Sequence, residues 1–541
     1  MRRVLTITTL AMLALAFSGQ RNSAQKTDDA NPDKRAEAVD AAAAHNTKAA
    51  ATAVMATLAT ENDGPAGFRM AESVAMLTSD EALDVVEKSV LGFVKPENLF
   101  GAYWTFIGLA RQNSTRGTAI IRKAVLETKD KEIYLRAAAI EALAFAGRTD
   151  QADVLLTALK PLGQLDAKKL DYEYSILTLT CVHGAPKMVK GGDKQMMMDI
   201  VLAMADILAA SKDDRIQWYT CMALSKITGE DTYIDPEFWK WWVKMGGIKA
   251  QRAEEGATVA GRDVPKFFKA AAVGKRVVFV IDISGSMQHP VEIPPEMRKP
   301  PEPPKKEDKG PVTGKGSGKG GGKDGEGEAK EEIPPPDYSK VKSKLDLAKV
   351  ELIHTLKHLP DDYWFNIVIY HTPHAMIDNA NDEFVQATEP NKQKFIKKVE
   401  GLNWANLTNI HGALTRGYCV NGKNTLDPMK IGKKENNPAW DPECLSTGAT
   451  TMFFLTDGSP TISDDSTDIA QVGRPGGNMV GNGRFCQAQN IVDDVRRLNT
   501  FRKVVINTVG IGPHDGRLMA ALAELTGGEY IDRSGAAKRG D

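Results

Sequence analysis

The sequence predicts a multidomain chain: an all-α helical-repeat solenoid, followed by an α/β domain built on a doubly wound parallel sheet. Three observations carry this. Apolar residues recur at three- and four-residue steps from 32 to 245, with short Gly/Asp/Asn/Lys breaks and few strand signals. From Lys275 onward, β-branched apolar runs alternate with helical patterns, which implies a parallel sheet with helices on its faces. Between the two lies a connector, 246–274, with charged stretches and a Phe267-Phe268 pair.

The chain has 541 residues, 42% hydrophobic composition and a formal net charge of -1. That length suggests about two to four domains. The balanced charge argues against nucleic acid as a partner, since phosphate binding needs a concentrated positive field. Five cysteines are too few for a disulfide framework. Cys181 and Cys221 fall in helix-like stretches and read as buried thiols. Cys419, Cys444 and Cys486 leave one bridge open in the C-terminal half, with its pairing undetermined.

Arg2 and Arg3, then the apolar run Val4 to Phe17, then small and polar residues to Ala24, have the form of a secretory signal over 1–24. The run is short for a membrane span; an uncleaved anchor is the rival reading. No other stretch is long and apolar enough to span a bilayer, so the mature chain is expected to be secreted or periplasmic, without an integral membrane segment.

In the helical half, the clearest unit runs from Glu132 to Leu162. Leu135, Ala138, Ala139, Ala142, Leu143 and Ala146 line one helix, 147–150 turn the chain, and Val154, Leu155, Ala158 and Leu159 line the next. Leu77, Leu109, Leu143, Leu177 and Leu224 mark similar helices at spacings of roughly 32 to 47 residues, the range of stacked helical hairpins. The unit with Arg136, Ala139 and Ala142-Leu143 resembles a HEAT repeat; a non-repetitive bundle is the alternative. Asp235 and Pro236 read as an N-cap and first-turn proline. Trp239, Trp241 and Trp242 then close the array with large rings, a sugar-stacking or membrane platform being the less ordinary option.

In the second half, strands are expected at 277–281, 365–370, 451–455, 504–509 and 529–531, and helices at 345–359, 410–418, 486–498 and 517–525. The stretch 294–336, rich in Pro, Gly, Lys and Glu, has too few apolar residues to offset its ordering entropy and reads as a disordered insertion. Its Gly-Lys pairs lack the flanking strand and helix and the Ser/Thr of a phosphate loop.

One motif carries chemistry. Asp282-Ile283-Ser284-Gly285-Ser286 follows directly on the first buried strand, placing a carboxylate and two hydroxyls on a loop at the strand's carboxyl end, where ligands of such sheets bind. Hard cations want several oxygen ligands. Thr408, in a loop before a helix, and Asp457, at the end of another strand, can supply more. The set Asp282, Ser284, Ser286, Thr408 and Asp457 resembles the metal-ion-dependent adhesion site of von Willebrand factor A (vWA) domains, in a chain of bacterial secreted type. Supporting matches are Phe279 to Met287, Thr408-Asn409-Ile410, Leu455 to Gly458 and Val509-Gly510-Ile511-Gly512 followed by Gly527-Gly528. The resemblance covers 275–534 apart from insertions. It implies Mg²⁺, or Mn²⁺ or Ca²⁺, held by Ser284, Ser286 and Thr408 directly and by Asp282 and Asp457 largely through water. It also implies a protein partner whose exposed Asp or Glu completes the metal shell.

The expectation is therefore metal-dependent binding, adhesion or scaffolding without catalysis. The alternative is an accessory subunit docking on an enzyme or chaperone-like machine. The insertion reads first as a passive loop; the alternative is that it gates the site or supplies a competing ligand through acidic residues such as Glu302 and Glu326. The loops 420–449 and 459–484 are expected to border the metal face. Gly510-Ile511-Gly512 has the wrong spacing for a dinucleotide loop, and no Gly-x-Ser-x-Gly elbow surrounds the serines. His354 and His358 lack the Glu of a zinc-protease motif.

Overall fold

The computed structural model describes residues 29–128, 132–247, 264–295, 298, 334–378, 383–420 and 447–533. The expected signal segment, most of the 294–336 insertion with its acidic residues, and Cys444 lie outside the described residues.

Twelve helices fill the first half among the described residues: α1 Pro32–Ala43, α2 Lys48–Leu58, α3 Gly64–Ala75, α4 Asp80–Val90, α5 Leu99–Gln112, α6 Thr115–Leu126, α7 Ile133–Phe145, α8 Ala152–Leu162, α9 Ser175–Val189, α10 Lys194–Ala210, α11 Asp214–Thr228 and α12 Pro236–Lys244. They pair as successive hairpins. The odd-numbered members, starting 32 to 42 residues apart, pack side by side in one layer, and the even-numbered members form a second. The local reasons are ordinary. Thr47, Asp63, Ser79, Ser114, Asp193 and Asp213 cap their helices with side-chain oxygens. Asp235 accepts from Glu237 N at 2.9 Å at the start of α12, with Pro236 in its first turn. Replacing Asp235 by Ala is expected to lower the denaturant midpoint by the equivalent of about 1 kcal/mol; an unchanged midpoint would show the cap to be redundant.

Layers of small and large residues set the packing. Every residue of α5 from Leu99 to Ala110 is buried. Gly67 of α3 lets the Trp104 ring approach so closely that an added Cβ would stand 2.3 Å from it. At the far end Trp239 and Trp242 are buried, each indole N–H donating, to Tyr233 O at 3.0 Å and to Glu230 Oε1 at 3.3 Å. Trp241 remains exposed.

The second half begins with a hairpin, β1 Lys266–Phe267 and β2 Ala270–Ala271, in what the sequence suggests is connector. Its Phe267 and Phe268 are buried in the α/β core. The main elements follow: β3 Arg276–Asp282, α13 Lys344–His358, β4 Trp364–Tyr370, β5 His374–Met376, β6 Val385–Gln386, α14 Glu389–Glu400, α15 Ile410–Cys419, β7 Thr451–Thr456, α16 Ala488–Thr500, β8 Val505–Ile511, α17 Gly516–Thr526 and β9 Tyr530–Arg533. The sheet order is β5-β4-β3-β7-β8-β9, with β6 also on β4. β4, β3, β7, β8 and β9 are parallel, and β5 and β6 antiparallel. Short antiparallel edge strands make the sheet mixed rather than wholly parallel. Chain order reverses between β3 and β7, which opens a crevice at their carboxyl ends.

Both faces are covered. Val277, Phe279 and Ile281 pack with α13 and α14, whereas Val278 and Val280 share a core with α15, α16 and α17. That explains the unbroken apolar run of β3. The insertion leaves and returns at one place, since Val291 N donates to Lys342 O at 3.3 Å and Pro290 bridges Ser343.

The odd-numbered helical layer is not left open. Its core is continuous with the α16 side of the sheet. Phe501 packs on Phe100 and Tyr134 at centroid distances of 5.6 and 5.7 Å, and Arg496 lies over the Phe145 ring at 4.7 Å. Arg497 donates to Asn62 Oδ1 at 3.0 Å, Arg484 pairs with Asp33 and Asp63, and Lys503 with Glu141 at 2.6 Å. Tyr219 OH donates to Thr526 O at 2.6 Å. The repeat array thus serves as a base for the α/β domain. No helix among the described residues is long and apolar enough to cross a membrane.

Candidate metal centre

All five sequence-predicted residues meet at the β3/β7 crevice. Asp282 ends β3 and is fully buried. One of its carboxylate oxygens accepts the Ser284 N–H at 2.7 Å and the other accepts the Thr456 hydroxyl at 2.7 Å. The chain then turns in a short 3₁₀ segment, Gly285–Gln288, pinned by buried Met287. That turn brings Ser286 Oγ to 3.2 Å from Ser284 Oγ. Ser286 Oγ donates to Asp457 Oδ1 at 2.7 Å across the crevice.

Thr408 arrives on the loop before α15. Gly285 N donates to Asn406 O at 2.7 Å and Ala405 N to Ile283 O at 2.7 Å, which lays this loop against the Ser284–Ser286 turn. A Cβ added at Gly458 would stand 3.9 Å from Thr408 Oγ1, so that hydroxyl lies beside the Asp457 turn. Thr408 N is held by Thr461 Oγ1 at 2.8 Å. Asn409 next to it caps α15 through Gly412 N at 3.0 Å and reaches Asp464 at 2.6 Å. The loop 459–484 therefore does border the site, whereas most of 420–449 lies outside the described residues.

Two carboxylates held together out of water repel each other. Burial first, and the charge of Asp457 second, push the Asp282 carboxyl up to about 6, against hydrogen bonds from Ser284 and Thr456 that favour its charged form. A divalent cation relieves that repulsion. The donor set is all oxygen, two carboxylates and three hydroxyls, which suits Mg²⁺, Mn²⁺ or Ca²⁺ and lacks the imidazole or thiolate that zinc favours. Among the described residues no group of three or more His, Cys, Asp and Glu is placed to hold a metal ion, the crevice included; it offers two carboxylates with three hydroxyls. The residues present therefore fit a hard divalent ion.

Three participants lie outside the predicted set. Lys344 Nζ donates to Asp457 Oδ2 at 2.8 Å. Thr456 supplies a hydrogen bond to Asp282, and buried Tyr370 OH donates to Leu455 O at 3.1 Å beside it. The signal for Lys344 is legible afterwards: Ser343 and Asp346 form a capping box that fixes the following residue at the helix start. Nothing local to Lys344 indicates that the helix start faces Asp457.

The other histidines have separate roles. The His354 and His358 rings lie 4.4 Å apart along α13, tilted by 47°, with no third ligand among the described residues. His411 bonds Asp494 at 2.9 Å, and Asp494 accepts from Arg497 at 2.7 Å, so the start of α15 is braced against α16. Cys181, Cys221 and Cys486 are buried thiols, and Cys419 Sγ donates to Thr415 O at 3.3 Å. No protein-family model matches the chain, and no curated protein matches it; the geometry of the crevice carries the functional argument.

Proposed function

We propose that residues 264–533 form a vWA-type domain whose crevice holds Mg²⁺, Mn²⁺ or Ca²⁺ and offers it to an exposed Asp or Glu of a protein partner. The observation that carries this is the convergence of two buried carboxylates and three hydroxyls, from three separate loops, at the switch point of a parallel sheet. Ser284, Ser286 and Thr408 would hold the ion, with Asp282 and Asp457 orienting its water. Few charged ligands in direct contact leave the ion attractive to an anionic group. Binding then needs no bond-making step, so the protein acts as an adhesion or scaffold protein, with a HEAT-like array as its base. The form of segment 1–24 supports a place outside the cytoplasm.

Calorimetric titration of Mg²⁺ and Mn²⁺ into chelator-treated protein tests this. One saturable site is expected, lost in the Asp282→Ala, Ser284→Ala double variant. Equal heats from both proteins would sink the reading.

A further inference from the structure

The crevice contains a cation of its own. The Lys344 ammonium and the Asp457 carboxylate are almost wholly out of solvent, with side chains 7% and 0% exposed. Asp457 divides its oxygens: Oδ1 takes the Ser286 hydroxyl, and Oδ2 takes Lys344. The lysine is held firmly. It is the first residue of α13, behind the Ser343/Asp346 capping box, and its N–H donates to His289 O at 3.0 Å. Its stem runs against Gly512, where an added Cβ would stand 2.7 Å from Lys344 Cε.

Formal charges then decide what the site prefers. Asp282 and Asp457 bring two negative charges and Lys344 one positive charge. A divalent ion on this set leaves an excess of about one positive charge; without the lysine it would leave about none. We propose that Lys344 sets the charge of the crevice, weakening its hold on the divalent ion and strengthening the ion's pull on a partner carboxylate. The proposal rests on the metal-site reading above. It differs in sign from a purely structural role, in which losing Lys344 would disorder Asp457 and weaken both steps.

The test uses the full-length chain and Mn²⁺ as the probe. Mn²⁺ affinity is read by electron paramagnetic resonance, and carboxylate binding by the fall in water-proton relaxation as acetate is added. Lys344→Met is expected to bind Mn²⁺ on the order of tenfold tighter and to need on the order of tenfold more acetate. Lys344→Arg, which keeps the charge, should stay near wild type in both. Lys344→Gln is run alongside in case the Met variant does not fold. Unchanged Mn²⁺ affinity in both neutral variants, or a loss in both steps, would overturn it. Mn²⁺ binding that survives Asp282→Ala, Ser284→Ala, or that is absent from every protein, would overturn the metal-site reading and this proposal with it.

Discussion

Asp457→Ala is expected to cost about 3–5 kcal/mol of stability, because it strands the Lys344 ammonium in a site with almost no access to water. The partner hydroxyl of Ser286 loses its acceptor in the same step. Removing both charges together should be far milder. Asp457→Asn with Lys344→Met strands neither member of that pair, and buried pairs replaced as pairs are often close to neutral. Denaturant titration of the two proteins in chelator, followed by an α/β-domain probe, gives the comparison. If the double variant were as unstable as Asp457→Ala, the cost would lie in packing rather than in the stranded charge. Added Mg²⁺ should stabilise the wild type and do nothing for Asp457→Ala.

The second large effect concerns pH. His183 on α9 has its ring 5.3 Å from that of Tyr219, whose hydroxyl reaches the α/β domain at Thr526. Burial pushes its imidazole down to about 3, with Glu141 opposing and Lys503, Lys187 and Lys226 assisting. The unfolded chain takes up this proton near 6.5, while the folded chain refuses it until about 3. The unfolded state therefore binds more protons across that window, and stability falls as pH drops from about 6.5 toward 3. Glu141 acts in the same direction at lower pH. Lys503 and His183 hold its carboxyl down at about 2 despite burial, so its contribution is lost as pH falls from about 4.5 toward 2. Asp282, raised to about 6, has the opposite sign between about 3.8 and 6, since there the folded chain binds more protons. Comparing wild type with His183→Gln isolates the imidazole. Between pH 7.5 and 5.5 the wild type should lose about 1 kcal/mol more than the variant. Parallel pH profiles would show that His183 is protonated as readily folded as unfolded.

Much of the architecture was legible in the chain because the two periodicities differ physically. Three- and four-residue apolar spacing in 32–245 specifies helices that bury one stripe, and the hairpin of α7 and α8 falls where Leu135 to Leu159 place it. Val277 to Ile281 reads as a strand buried on both faces, and both faces are covered. The five crevice residues were readable for a similar reason: each sits at the end of a strand or the start of a helix, and a parallel sheet brings such ends to one edge. α14 was missed because its Lys- and Glu-rich segment buries only Phe395, Ile396 and Val399 beside the stem of Lys392. β5 and β6 were missed because two or three residues are too few to show alternation.

What the sequence by itself determined is the order of the main elements and the five oxygen-bearing residues that end up in the crevice, since both follow from local side-chain patterns. Only the tertiary structure decided two things. It placed Lys344 on Asp457, 113 residues away in the chain, and it closed the odd-numbered helical layer over α16 through Phe501, Arg497 and Lys503. Contacts of that kind depend on which faces meet. Burial and charge pairing select among those meetings only once whole elements have formed.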